Sequence, residues 1–149
     1  MRVLLQLVQQ ASVTVEGEIV SSIGKGFLLF VGVGERDSND IAVKMANKVS
    51  KLRIFPDDNG KTNLSLKDVN GEVLSVSQFT LYASAKEGNR PSFTHVMRQD
   101  EARPIYETFV KTLKELVPVK EGIYRADMKV NLVNDGPFTL ILDSKEIFS

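Results

Sequence analysis

The run Phe27-Leu28-Leu29-Phe30-Val31-Gly32-Val33 constrains the fold of this chain more than any other segment. Because its residues are apolar at successive positions, a strand formed from it presents apolar side chains on both faces. Such a strand needs cover on both sides, and Gly34 ends it. The sequence therefore predicts a central strand, buried on both faces, around which the other elements are arranged.

Two further segments have the apolar spacing of amphipathic helices. The first begins at Ser38 or Asp40, either of which can cap a helix. The second begins near Asp100, tolerates Pro104 in its first turn and is stopped by Pro118. The predicted core-facing residues are Ile41, Met45, Val49 and Leu52 in the first helix and Ile105, Phe109, Leu113 and Leu116 in the second.

The other apolar segments have the pattern of strands. They run from Arg2 to Gln9, Ser12 to Glu16, Ile19 to Ile23, Glu72 to Phe79, Met128 to Val133 and Phe138 to Leu142. No repeat, low-complexity tract or linker divides the 149 residues, which are enough for one core. The prediction is an α+β fold, in which residues 1–149 form a strand-rich single domain with two covering helices.

The residue types that are missing exclude several kinds of site. The chain has no cysteine, so disulfides, thiolate metal sites and cysteine nucleophiles are excluded. Its one histidine, His95, lies in a polar stretch and would have to serve any Ser-His-Asp triad. Asp127 and Asp135 fit turn or cap positions better than a magnesium site. We therefore predict no metal and no cofactor.

Charge and hydropathy predict a soluble protein whose contacts to any RNA are local. The chain balances 19 basic against 19 acidic side chains, so no global positive field attracts nucleic acid. Its longest apolar run, Phe27 to Val31, is far below the ~20 residues that a membrane helix needs. The N-terminal residues alternate Leu, Val and Gln and form no continuous apolar core. We therefore expect an unprocessed cytoplasmic protein, which the lack of cysteine also fits.

Two segments place polar groups at strand ends, where a rigid scaffold can hold them against a ligand. Ser77-Gln78-Phe79-Thr80 offers hydroxyls, an amide, and the main-chain N–H groups of Gln78 and Phe79 as donors to an oxyanion. Asn134-Asp135-Gly136-Pro137-Phe138-Thr139 lies between the last two predicted strands. Taken alone, the first segment is equally typical of a structural strand end, and the second of a simple turn.

A hydroxyl nucleophile in the first segment would need a base. Hydroxyls are weak nucleophiles at neutral pH, and the sequence offers no obvious histidine or lysine partner for Ser77 or Thr80. The segment is therefore better suited to positioning a bond that is already reactive.

Collinear stretches along almost the whole chain resemble one known family. They are Met1 to Gln6, Ala11 to Val15, Leu52 to Phe55, Val76 to Ala83, Gly88 to Phe93, Ala126 to Met128 and Leu132 to Pro137. Together these stretches resemble the D-aminoacyl-tRNA deacylases. The resemblance implies an enzyme that hydrolyses the ester of D-aminoacyl-tRNA, and of glycyl-tRNA, and so acts on the tRNA 3′ end.

The resemblance also implies where the site lies. It assigns catalytic positions to Ser77, Gln78, Phe79 and Thr80, with polarisation of the ester by the backbone of Gln78 and Phe79 and by Thr80. A nucleophilic Thr80 and hydrolysis assisted by the ribose hydroxyl of the tRNA both remain open. We favour the second because no base is available to Thr80.

In this family a Gly-Pro element with a cis peptide bond enters the active site of the partner subunit. The resemblance thus implies substrate-binding positions at Gly136 and Pro137, and a homodimer that completes or closes the sheet. A rigid backbone that leaves no room for an L side chain would select D-amino acids and admit glycine. The strand Met128 to Val133, which has more apolar positions than one buried face requires, also favours a dimer.

Other residues have possible contacts with the tRNA end. Arg90 could contact a phosphate, and Phe79 or Phe138 could stack on adenine. Solvation of a loop arginine and core packing of strand aromatics are the commoner roles of these residue types.

The chain departs from the family pattern at two positions. Relatives have Gln-Arg-Val where this chain has Gln6-Leu7-Val8, and Phe-Gly-Ala-Asp-Met where it has Tyr124 to Met128. We hypothesise that Arg125 supplies the guanidinium missing at Leu7. This predicts hydrogen bonds from Arg125 to carbonyl groups beside Gly136 and Pro137, in either subunit, whereas the alternative is a solvated Arg125.

Two other functions stay open at this point. One is a non-catalytic nucleic-acid-binding module, because some relatives are described as DNA-associated. A basic tail would favour that function, and this chain has none. The other is an esterase for small molecules, which would hydrolyse simple esters without tRNA.

Overall fold

Eight strands and four helices make up the protein, and the computed structural model describes residues 1–149. The strands are β1 (Arg2–Val15), β2 (Glu18–Ile23), β3 (Gly26–Gly32), β4 (Phe55–Pro56), β5 (Thr62–Leu64), β6 (Glu72–Ser77), β7 (Val119–Glu121) and β8 (Lys129–Asp143). The helices are α1 (Asn39–Lys51), α2 (Leu66–Val69), α3 (Gln99–Lys114) and α4 (Ser144–Ile147), and a 3₁₀ turn spans Phe79–Tyr82.

The long strand β1 organises the main sheet. One of its edges pairs antiparallel first with β3 and then with β2, and β8 pairs antiparallel along its other edge. The strands β3, β6 and β7 are mutually parallel. The sheet curls into a nearly closed barrel, because the first residues of β8, such as Val130, pack with residues of β6 such as Val76.

The strand β3 is central and buried on both faces, as predicted. Phe27 and Leu29 pack into the larger core cluster, which α1 and α3 cover. Leu28 points to the other face and packs in a smaller cluster inside the curled sheet. The α+β prediction of a strand-rich single domain with two covering helices is confirmed.

The two covering helices begin close to their predicted starts. Ser38 is the N-cap of α1, and its Oγ accepts a hydrogen bond of 3.3 Å from the Ile41 N–H. The helix α3 begins at Gln99, so Pro104 lies in its second turn and not in the first turn as predicted. The Arg98 carbonyl starts this helix by accepting a 2.8 Å hydrogen bond from the N–H of Ala102.

The last two predicted strands are one continuous strand, and this corrects the sequence prediction. β8 pairs with β1 both before Asn134 and after Thr139. Between these positions, the residues Asp135–Phe138 leave the ladder opposite Leu7. We call Asp135–Phe138 the edge loop. β1 is likewise continuous where two strands were predicted, because β8 supports it along its length.

Candidate active site

The predicted catalytic segment follows the carboxyl end of β6. Ser77 is the last residue of that strand and pairs in register with Val31 of β3. The Gln78 N–H extends this pairing by donating to the Val31 carbonyl at 2.8 Å. The chain then turns, and Phe79–Tyr82 form the 3₁₀ turn. The strand prediction, which ended at Phe79, was therefore two residues too long.

A cavity of about 450 Å³ opens beside this segment, and we call it the first cavity. Ser77, Gln78 and Phe79 line one side, whereas Thr80 is exposed and lies outside the lining. The opposite walls come from α3, from the segment before β8 and from strand ends, through Val31, Val33, Val76, Gln99, Ala102, Tyr106, Tyr124, Arg125, Ala126, Asp127, Met128 and Val130. The cavity is mostly apolar with a few polar groups, as small-molecule sites commonly are.

The main-chain donors differ from those predicted. Because the Gln78 N–H already donates to Val31, it is not free to bind an oxyanion. Phe79 and Thr80 are the first residues of the 3₁₀ turn, where N–H groups have no carbonyl partner inside the turn. The available donors are therefore the N–H groups of Phe79 and Thr80.

Neither hydroxyl of the segment forms a hydrogen bond with a carboxylate, histidine or lysine side chain. Thr80 Oγ1 accepts a hydrogen bond of 2.5 Å from Gln78 Nε2, and an amide donor cannot remove a proton. The one histidine, His95, is exposed, and its Nδ1 lies 3.7 Å from a Glu35 carboxylate oxygen in a different cavity. A Ser-His-Asp triad at this segment is therefore ruled out.

Two tyrosines of the first cavity were not predicted as site residues. Tyr106 is buried, and its hydroxyl lies 3.0 Å from the hydroxyl of Ser75. Its ring packs at 5.6 Å from the ring of Tyr124, whose hydroxyl donates to Gln99 Oε1 at 2.9 Å. Burial raises the pKa of both phenols, so both remain protonated donors at neutral pH. Ala102 and Tyr106 are four residues apart on α3 and therefore share one face of the helix, and this spacing was the sequence signal for the wall.

The edge loop is held at its base by one side chain. Asn134 Nδ2 donates to the Leu7 carbonyl at 2.9 Å and to the Phe138 carbonyl at 3.0 Å. Asn134 Oδ1 in turn accepts a 3.3 Å hydrogen bond from the Thr139 hydroxyl. The sequence analysis gave Asn134 no role of its own. An asparagine beside a turn commonly hydrogen-bonds to nearby backbone, and this was the signal that could have identified it.

Within one chain, the edge loop does not reach the first cavity. Gly136 and Pro137 are exposed, the peptide bond between them is cis, and neither residue lines the cavity. The strands β1 and β3 lie between β8 and β6 in the sheet. The loop is thus three strand spacings from β6, on the order of 14 Å along the sheet. A single protomer does not unite the two predicted halves of the site.

The two departures from the family pattern have different surroundings. Leu7 is buried in the larger core cluster, and its carbonyl supports Asn134. Arg125 is exposed at the rim of the first cavity, in the left-handed conformation with φ of 66°. Its guanidinium makes no hydrogen bond to the edge loop of the same chain, so any such bond would have to form to a partner subunit.

The remaining candidates occupy ordinary positions. Phe79 is 46% exposed and packs against Phe93 at a centroid distance of 5.5 Å, whereas Phe138 packs against the larger core cluster. Arg90 is exposed in its loop. Asp127 accepts hydrogen bonds of 3.1 Å from Lys129 Nζ.

No three His, Asp or Glu side chains are grouped as a metal site would require, and no helix has the length and apolar character to span a membrane.

Known proteins are similar to this chain over nearly its whole length. The profile of the family described as D-Tyr-tRNA(Tyr) deacylase matches residues 4–143. A D-aminoacyl-tRNA deacylase of Thermomicrobium roseum is 56% identical over 148 residues, which are 99% of this chain and 96% of that protein. The chain belongs to the D-aminoacyl-tRNA deacylase family. A family member from Lactobacillus gasseri is 54% identical over 144 residues, with 96% of this chain and 99% of that protein covered.

Solved structures agree on the fold of this deacylase family member. A protein described as c-Myc DNA Unwinding Element Binding Protein superposes with a TM-score of 0.90 at 37% identity, over 96% of this chain and 98% of that chain. A probable eukaryotic D-amino acid tRNA deacylase superposes with a TM-score of 0.82 at 18% identity, over 95% and 97% of the two chains, and shows the shared fold alone.

Proposed function

We propose that this protein hydrolyses the ester bond between a D-amino acid, or glycine, and the 3′ end of tRNA. The observation that carries the proposal is membership of the deacylase family over nearly the full chain, with Ser77, Gln78 and Phe79 lining a cavity of about 450 Å³. Water is added across the ester, and the products are a free D-amino acid and tRNA. Since its substrate takes part in translation, we expect the enzyme to act in the cytoplasm.

The first cavity fits the terminal nucleoside of this substrate. Its walls are mostly apolar and include the ring of Tyr106, and Gln99 supplies an amide. A nucleobase needs a flat apolar surface and a few hydrogen-bonding groups. With the nucleoside in the cavity, the ester lies beside the Phe79 and Thr80 N–H groups, which can stabilise negative charge on the carbonyl oxygen.

Hydrolysis then relies on the substrate for its second catalytic group. No base lies beside Ser77 or Thr80, whereas the terminal ribose carries a hydroxyl next to the ester. A group held next to the reacting bond acts as an intramolecular catalyst with a high effective concentration. Ser77, Gln78, Phe79 and Thr80 thus position and polarise the ester, and the ribose hydroxyl assists the attack of water.

Selection against L-amino acids is assigned to Gly136 and Pro137 of a partner subunit. The edge loop is exposed on β8, which pairs with β1 on one edge only. β8 also exposes two apolar side chains, Val133 at 42% and Ile141 at 73%. A long, unpaired edge strand with exposed apolar residues is a natural dimer interface. In the homodimer, the loop of one subunit enters the first cavity of the other.

A deacylation assay with D-, L- and glycyl-tRNA tests the activity. We expect release of the D-amino acid and glycine and retention of the L-ester. Hydrolysis of simple esters without tRNA would identify a small-molecule esterase instead. If the protein releases no amino acid but binds DNA, the nucleic-acid-binding function of the structural neighbour would be the better assignment.

Mixed dimers test the cross-subunit site. One subunit carries Ala126→Trp, which fills the first cavity, and the other carries Pro137→Ala, which alters the edge loop. The only open cavity of the mixed dimer then faces an intact loop, so we expect it to reject L-aminoacyl-tRNA. If it rejects L-substrates no better than the Pro137→Ala homodimer, the loop acts within its own subunit. If sedimentation shows only monomers at concentrations at which the enzyme is fully active, the proposed arrangement would also be excluded.

A further inference from the structure

A second cavity, of about 690 Å³, lies at the other end of the 3₁₀ turn from the first cavity. Tyr82, the last residue of that turn, forms one wall, and Glu35, Arg36, Asp37 and Lys145 are among the others. Because one turn of four residues borders both cavities, a ligand seated in the first cavity is within reach of the second.

Two of the three acidic groups in or beside the second cavity are already paired with cations. Asp37 accepts a 2.6 Å hydrogen bond from the Gly34 N–H and pairs with the amino group of Met1. Asp143, beside the cavity, pairs with Arg2 at 3.0 Å, and Glu35 lies 3.7 Å from His95. The negative charges of Asp37 and Asp143 are therefore balanced by cations within the protein. Glu35 has only a histidine beside it, which is counted as neutral at pH 7, so Glu35 leaves one negative charge at the cavity.

Two basic groups of the cavity have no such partner. Arg36 and Lys145 are exposed at its walls, and neither forms an ion pair or a side-chain hydrogen bond within the chain. They come from distant parts of the sequence, since one precedes α1 and the other lies in α4. The fold thus places two free cations at a concave surface, which favours an anionic ligand.

The wall of the second cavity formed by Tyr82 is tightly packed. The Tyr82 ring lies under the Arg2 guanidinium at 4.6 Å, and Arg2 also donates to the Leu81 carbonyl at 3.0 Å. The ring packs so tightly on Gly34 that an added Cβ would lie 2.7 Å from its Cε1 atom. Burial raises the pKa of the Tyr82 hydroxyl, so this group stays protonated and can donate a hydrogen bond.

We infer that the second cavity binds a backbone phosphate of the tRNA 3′ strand through Arg36 and Lys145, with Tyr82 as a further donor. The inference rests on the proposed function, because the first cavity must hold the terminal nucleoside for the adjacent phosphates to reach the second. The chain has no net charge, so its affinity for RNA depends on local groups of cations such as this pair.

The test compares two substrates that differ in phosphate. D-Tyr-tRNA carries the phosphates of the 3′ strand, whereas the D-tyrosyl ester of adenosine carries none. The variant is Arg36→Gln with Lys145→Gln, and the control is Lys61→Gln with Lys67→Gln, which removes the same charge from exposed positions outside both cavities. The readout is the ratio of kcat/KM for the tRNA to kcat/KM for the adenosine ester, with its salt dependence.

We expect the cavity variant to lower this ratio about tenfold, mainly through a higher KM for tRNA, and the control to preserve it. The slope of log(kcat/KM) for tRNA against log salt should become shallower by about 1 in the variant. Inorganic phosphate at millimolar concentration should inhibit tRNA hydrolysis by the wild type and not by the variant.

An unchanged ratio and slope in the variant, or an equal loss in the control, would overturn the inference. Inhibition by inorganic phosphate without any change in the ratio would point to a free-phosphate site and would also overturn it. If the wild type hydrolyses neither D-aminoacyl substrate, the proposed function itself fails, which separates the two failures.

Discussion

The 3₁₀ turn Phe79–Tyr82 and the edge loop Asp135–Phe138 carry the two predicted halves of the site, but the fold supports them differently. The turn follows β6, an inner strand with a parallel neighbour on each side, and the N–H of Gln78, the residue just before the turn, donates to Val31 of β3. The edge loop leaves the outermost strand and is closed by the side chain of Asn134 alone.

This difference in support predicts different sensitivities to mutation for the chemical step and for chiral selection. The turn is anchored to the buried strands β3 and β6, and tight packing in the core resists displacement of these strands. We therefore expect the core to preserve the geometry of the proposed chemical step. Within its own chain, the edge loop contacts the core only through Phe138, and its shape otherwise depends on the hydrogen bonds of Asn134. We therefore expect chemistry to be robust and chiral selection to be fragile to single substitutions.

The largest effect should come from the substrate and not from the turn. Replacing the ribose 2′-hydroxyl next to the ester by hydrogen should slow hydrolysis of D-aminoacyl-tRNA by at least ~100-fold, because the assisting group is lost. Thr80→Ala should stay within about fivefold of the wild type, because the Thr80 hydroxyl has no base beside it. Single-turnover rates measure both. The reverse ranking, or an acyl-enzyme trapped on Thr80 or Ser77, would restore a hydroxyl nucleophile.

A smaller and more selective effect should follow from loosening the edge loop. Asn134→Ala removes the three side-chain hydrogen bonds at the base of the loop and should cost about 1–3 kcal/mol of stability. We expect the ratio of D- to L-aminoacyl-tRNA hydrolysis to fall about tenfold, equivalent to ~1.4 kcal/mol, through faster L hydrolysis. Asn131→Ala is the matched control, since Asn131 is exposed on the same strand and its side chain makes no hydrogen bond. Equal selectivity in the two variants would show that Asn134 does not hold the selecting element.

The smallest effect concerns Arg125, at the rim of the first cavity. Its φ of 66° is favourable for glycine and unfavourable for other residues. Arg125→Gly should therefore raise the free energy of unfolding by about 1 kcal/mol, whereas Arg125→Ala, which keeps a Cβ, should not. Denaturant unfolding compares them.

The same two variants test the hypothesis that Arg125 replaces the missing arginine at Leu7. If its guanidinium holds the partner's edge loop, both variants should lose L-rejection more than D-activity. Full chiral discrimination in both variants would leave Arg125 as a solvated residue with a strained backbone.

The sequence by itself determined the elements whose patterns are local. The two-sided apolar run marked β3, helical spacing marked α1 and α3, and the apolar strand that ends near Ser77 marked β6. These predictions succeeded because side-chain periodicity reflects burial on one face or on both. The resemblance of whole stretches to the deacylases gave the family, which the comparisons confirm.

Only the tertiary structure decided which groups remain free. The Gln78 N–H was predicted as a donor, but the parallel pairing of β6 with β3 engages it with Val31, and no local pattern reveals that pairing. The continuity of β8 likewise depends on β1, which is more than 100 residues away in sequence. The second cavity unites Arg36 with Lys145 for the same reason, because contacts between distant segments are set by sheet register and packing and leave no periodic trace in the sequence.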